Sequence, residues 1–187
     1  MGKAFKTRGV ILKRMNLGEA DKLLTLFSPT HGKMVVLAKG IRKIHSRKAP
    51  HLELLNDVHI FVTVGKMSIV TEAETHKTYS YLRTQLQRVA YAYKIVELVD
   101  RLCAEGEVHS AIFHLLVAVL SKLNDKQVKN FEAVTEKFAV QLLWELGYLP
   151  KENVITGTAL TRFLETVMER SLKSDNLLTR LSGGVVL

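Results

Sequence analysis

The spacing of apolar residues changes once along this chain, near residue 78, from the short runs and alternation of strands to the period of helices. Before that point, Phe5 to Arg14 is enriched in β-branched residues, and Leu17 to Asp21 breaks the pattern. Lys22 to Phe27 resumes an extended run that ends at Ser28-Pro29. Thr30-His31-Gly32 reads as a turn and Lys33 to Ala38 as a third strand. Pro50 marks a boundary, Leu54 to Val64 is a long strand, and Gly65-Lys66 signals a tight hairpin before Met67 to Glu74. Five short strands with turns at regular spacing predict a small closed barrel.

After the switch, Leu82, Leu86, Val89, Tyr93, Val96, Val99 and Leu102-Cys103 follow helical spacing up to Gly106. Further helices are expected from Ile112 to Leu123, from Phe131 to Leu146 with Gly147 as its cap, and from Leu160 to Leu172. The prediction is an α+β protein: a five-stranded β-barrel domain over residues 1–79 and an all-helical domain over 80–187. A hydrophobic content of 47% suffices for a core without staples. The single Cys103 excludes a disulfide framework and a cysteine-based zinc module, and it suits a reducing compartment. Met1 to Lys6 leads straight into a strand pattern, not an apolar leader. The longest apolar run, Ala111 to Leu120, is too short to span a bilayer. The expectation is a soluble, cytoplasmic protein with no membrane contact.

Charge follows the same division. Residues 1–80 hold 14 Lys and Arg against 6 Asp and Glu, whereas residues 81–187 hold 13 against 12. The excess peaks in Ala38 to Lys48, where Lys39, Arg42, Lys43, Arg47 and Lys48 occur without a single carboxylate. A one-signed loop between two strands presents its cations to a polyanion, and phosphate is the obvious one. Arg8, Lys13, Arg14 and Lys33 add weaker candidates on the same domain. Aromatic residues are sparse there, and Phe27 and Phe61 fit core positions better than stacking platforms, so the binding expected is electrostatic and weakly sequence-specific.

Catalytic signatures are missing. Gly32-Lys33 and Gly65-Lys66 lack the upstream glycine of a P-loop, the seven His are scattered without ligand spacing, and Cys103 sits on the apolar face of a helix, where a buried inert thiol is expected. The reading is of a non-enzyme without cofactor or metal.

Thr7 to Leu12, Leu17 to Ser28, Gly32-Lys33, Ala38 to Arg42 and Ser46-Arg47 resemble the N-terminal domain of the RecO family of bacterial DNA-repair and recombination mediators. Ala73-Glu74, Leu82-Arg83 and Leu142 to Pro150 resemble landmarks of that family's helical domain. The resemblance implies an N-terminal OB-fold barrel, non-catalytic binding of single- and double-stranded DNA, and annealing of complementary strands. It also implies help in loading the recombinase RecA onto strands coated by single-strand DNA-binding protein (SSB). Implied partners are RecR and the C-terminal tail of SSB, and the implied location is the nucleoid. Carried over, the DNA-facing set is Lys39, Arg42, Lys43, Arg47 and Lys48. Candidates for the acidic, hydrophobic SSB tail are Lys137 beside Phe138 and Leu142, with Arg83 or Arg88 as alternative cations. Many relatives carry four zinc-binding cysteines after the landmark that here ends at Pro150; this chain has Lys-Glu-Asn-Val-Ile-Thr-Gly-Thr instead. Alternatives outside recombination are a general OB-type single-strand DNA or RNA binder and a subunit of a nucleic-acid enzyme.

Overall fold

The structure, a computed structural model, describes residues 3–168 together with Leu178 and Leu181. Strands β1 (Ala4–Leu17), β2 (Asp21–Ser28), β3 (Gly32–Ala38), β4 (Asp57–Thr63) and β5 (Ile69–Lys77) close into a barrel in the order β1-β2-β3-β5-β4, the arrangement of an OB-fold. β1 runs three residues past its expected end at Arg14, up to Leu17, because it serves two walls. Its first half pairs with β4, from Ala4↔Thr63 to Val10↔Asp57, and its second half pairs with β2, from Val10↔Phe27 to Leu17↔Asp21. Between Ile11 and Lys13 the register slips, and such a bulge bends a strand from one wall into the next.

Alternation fills the barrel. Ile11, Leu24, Leu26, Val36, Val58, Ile60, Val62 and Val70 form its interior, joined by Ile41 and Leu52 from the long β3–β4 loop. β3 and β5 meet through one parallel pair, Leu37↔Ile69, reinforced where Leu37 N donates to Ser68 O at 2.8 Å.

The expected strand from Leu54 starts three residues late. Leu55 takes a left-handed φ of 70°, and the Asn56 amide donates to the carbonyls of Pro50 and His51, which holds this stretch as a turn. The Gly65-Lys66 hairpin is looser than expected, spanning Val64 to Ser68. Phe61 corrects a core assignment. It is 37% exposed on the outer face of β4, because Ile60 and Val62 take the inward positions. Phe27 is fully buried as expected.

The described residues form two compact units, one of those up to Thr78 with Ala104–Phe113, the other of Tyr79–Cys103 with those from His114 onward. Within the first, residues 104–113 return to the barrel: Lys33 bridges to Glu105, and Gly106 N donates to Lys33 O at 2.9 Å. Gly32 permits this approach, since a Cβ there would lie 1.9 Å from the Glu107 carbonyl oxygen.

Helices α1 (Leu86–Leu102), α2 (Ser110–Leu123), α3 (Phe131–Glu145) and α4 (Gly157–Met168) follow. The helix expected from Leu82 breaks into a 3₁₀ turn, Leu82–Thr84, and α1, because Gln85 between them is extended. The Asn130 side chain caps α3 by accepting from Ala133 N at 2.9 Å. The helix expected to reach Leu172 is seen as far as Met168; positions 169–172 lie outside the described residues. α1 packs on α3, and Cys103 is buried at the end of α1. No described helix is long and apolar enough to cross a membrane.

Candidate nucleic-acid interface

Gly40 sets the start of the β3–β4 loop. It turns the chain with a φ of 65°, and its N–H donates to the Asp21 carboxylate at 2.7 Å. Arg42 N then donates to Ala20 O at 2.9 Å, and the Arg42 guanidinium donates to Gly18 O at 3.0 Å. Successive turn bonds continue from Ser46 N to Lys43 O and from Leu52 N to Lys48 O. The loop is therefore a pinned projection whose base, Ile41 and Leu52, lies in the barrel core.

The five loop cations divide by environment. Lys39, Arg42, Lys43 and Arg47 are exposed, and among the described residues the side chains of Lys39, Lys43 and Arg47 make no hydrogen bond or ion pair. Lys48 is half-buried and donates its ammonium to Val70 O at 2.9 Å; burial lowers its pKa, partly countered by the charge of Asp21. The strand-borne candidates are mostly committed elsewhere. Arg8 makes a bidentate pair with the fully buried Asp57, at 2.8 and 2.5 Å, and lies over the Phe113 ring. Arg14 is paired with Glu53. Lys13 is exposed and Lys33 half-buried.

Lys22, on β2, lies beside this set although its sequence context reads only as strand. Burial lowers its pKa, and the neighbouring Arg14 and Arg42 lower it further, against the pull of Glu53. Its cross-strand pairing with Ala38 sets it beside the start of the loop, a placement that only register reveals. The exposed loop cations Lys39, Arg42, Lys43 and Arg47 can take phosphates.

In the helical unit, the expected tail-binding set does not form a surface groove. Phe138 and Leu142 are core residues at 1% and 0% exposure, while Lys137 and Arg83 are exposed. Arg88 is interior too, at 2% exposure. Its guanidinium donates to the carbonyls of Leu123, Asp125 and Val128 at 2.6, 2.7 and 3.0 Å, and to Gln85 Oε1 at 2.7 Å, between the rings of Tyr81 and Phe131. It closes the C-terminal end of α2. A separate cleft of about 610 Å³ includes Ala139, Leu160 and Leu164 in its lining, with Glu132, Glu136 and Glu165 against Lys94, a poor charge match for an acidic peptide.

Barrel topology and a pinned loop whose first ten residues carry cations and no carboxylate define an OB-fold protein with a face suited to a polyanion. Residues 1–79 match the family model Recombination protein O N terminal, and residues 83–161 match Recombination protein O C terminal. The chain is 35% identical over 162 residues to DNA repair protein RecO of Roseiflexus sp., covering 85% of this chain and 56% of that one. It is 31% identical over 183 residues to DNA repair protein RecO of Dehalococcoides mccartyi, covering 97% and 68%. For Pelotomaculum thermopropionicum the figures are 32% over 149 residues, 79% and 57%. The chain belongs to the RecO family. It spans little more than half the length of most of these relatives. A four-thiolate zinc site does not fit its residues, since its one cysteine, Cys103, is buried at a helix end.

Proposed function

We propose that this chain is a non-catalytic DNA-binding recombination mediator whose phosphate-binding surface is the β3–β4 loop. The carrying observation is the set Lys39, Arg42, Lys43 and Arg47, exposed together on a loop whose backbone is fixed by the Asp21 and Ala20 contacts. Cations held by a rigid base bind phosphates without a large ordering cost, and backbone contacts carry no base readout. Single- and double-stranded DNA are then both ligands. Neutralising phosphates on two strands at once lowers the repulsion between them, which is the physical requirement for annealing.

Membership of the RecO family supports placing this activity in DNA repair, with RecR, the SSB tail and, indirectly, RecA as partners. The helical unit is the proposed site of protein contact. Lys137 and Arg83 remain exposed cations for an acidic tail there, whereas the cleft with its three glutamates does not suit one.

The test is annealing of complementary oligonucleotides without nucleotide or metal, on bare strands and on strands coated with SSB. Annealing on both supports the mediator reading. Failure on both, together with no binding of an SSB-tail peptide, rejects it.

A further inference from the structure

Ile41 and Ile44 share one loop and have opposite environments: Ile41 is 3% exposed in the barrel core, and Ile44 is 96% exposed. The backbone builds this difference. Lys43 N donates to Gly40 O at 3.1 Å, and Ser46 N donates to Lys43 O at 3.0 Å, so Ile44 and His45 occupy the tip of a turn. Both ends of the projection are clamped, by Ile41 on one side and by the fully buried Leu52 on the other.

A β-branched side chain is a poor choice for a turn tip, where Asn, Asp, Gly or Pro serve better, and Ile44 gains nothing by burial. Isolated exposed apolar residues are ordinary on protein surfaces. This one stands in the acid-free stretch 39–48, flanked by exposed Arg42, Lys43 and Arg47. The loop has no Phe, Tyr or Trp on which a base could stack; its rings are the imidazoles of His45, beside Ile44 at the tip, and of His51, which is held by Thr75.

The geometry points to Ile44 as an apolar wedge that enters the base stack of a single nucleic-acid strand whose phosphates are held by the flanking cations. This rests on the DNA-binding reading of the loop and extends it from phosphates to bases. Small apolar side chains, isoleucine among them, part base steps in proteins that grip the backbone electrostatically. A single strand is the favoured ligand because it has no pairing to lose when a step opens. A parted step leaves its pairing edges free for a complementary strand.

The experiment uses a single-stranded oligonucleotide carrying 2-aminopurine, whose fluorescence rises when the base is unstacked, and compares the full chain with Ile44→Ser, Ile44→Leu and Arg42→Glu/Lys43→Glu. Because Ile44 is exposed, its substitutions leave the fold intact. Wild type and Ile44→Leu should raise the fluorescence on binding. Ile44→Ser should lose the rise and bind about three- to tenfold more weakly, with the salt dependence unchanged. An undiminished rise with Ile44→Ser, or wild-type binding without any rise, overturns the wedge and leaves the phosphate reading standing. Absence of wild-type binding, or undiminished binding by Arg42→Glu/Lys43→Glu, overturns the loop reading and the wedge with it.

Discussion

Arg8 and Arg42 are both cations of the barrel unit, and they do opposite work. Arg8, on β1, is bound in two places to a carboxylate with no solvent exposure. Arg42, on the β3–β4 loop, spends one guanidinium nitrogen on Gly18 O and stays exposed. Strand positions put side chains among neighbouring strands, where a charge must find a partner, whereas a loop fixed through its backbone leaves side chains for a ligand. Position in the framework therefore separates structural cations from available ones better than charge density does.

That division predicts losses of stability for one class and losses of binding for the other. The largest effect belongs to Arg88, the interior cation of the helical unit. Arg88→Leu should cost about 4 kcal/mol in chemical denaturation, because several buried carbonyls lose their donor. Arg88→Lys should recover little, since an ammonium cannot span that fork. Arg8→Met should cost about 3 kcal/mol by stranding Asp57, and the double variant Arg8→Met/Asp57→Leu should regain part of it. A double variant no better than the single one would remove the pairing argument.

The loop class should behave in reverse. Arg42→Glu/Lys43→Glu should change stability by no more than about 1 kcal/mol, since it removes only the exposed bond from Arg42 to Gly18 O. Its affinity for a single strand at low salt should nonetheless fall by about thirtyfold. Unfolding before binding is lost would blur the two classes.

Lys48 lies between them, and its effect is the smallest. Its folded pKa lies below the ordinary 10.5, so in the alkaline window between the two the unfolded chain holds more protons and stability rises with pH. Lys48→Met should flatten that rise in pH-dependent denaturation; Lys22, lowered in the same direction, supplies what remains. A rise undiminished in Lys48→Met would deny its burial.

Much of this frame is legible in the sequence. The change of period at residue 78 and the acid-free run from Ala38 to Lys48 mark the barrel, the helices and the loop. What is hidden depends on tertiary placement. Phe61 sits in the apolar run Ile60 to Val62, and the one-residue choice of which side faces inward is made by pairing with β1 and β5. Arg88 reads as a surface cation, since nothing local shows that the α2–α3 turn brings its carbonyls to it. The return of residues 104–113 to the barrel leaves a single trace, Gly32, whose missing side chain makes room for Glu107. Leu55 takes a left-handed φ at a residue type that gives no hint of it.

The central claim is that the exposed cations of the β3–β4 loop, and not the strand-borne ones, hold nucleic-acid phosphates. The most direct measurement is the slope of log affinity against log salt for a single-stranded oligonucleotide. Four phosphate contacts give a slope of about −2.8. Replacing Lys39, Arg42, Lys43 and Arg47 together by alanine should bring it close to zero while the folded state persists. A slope that survives those replacements contradicts the account.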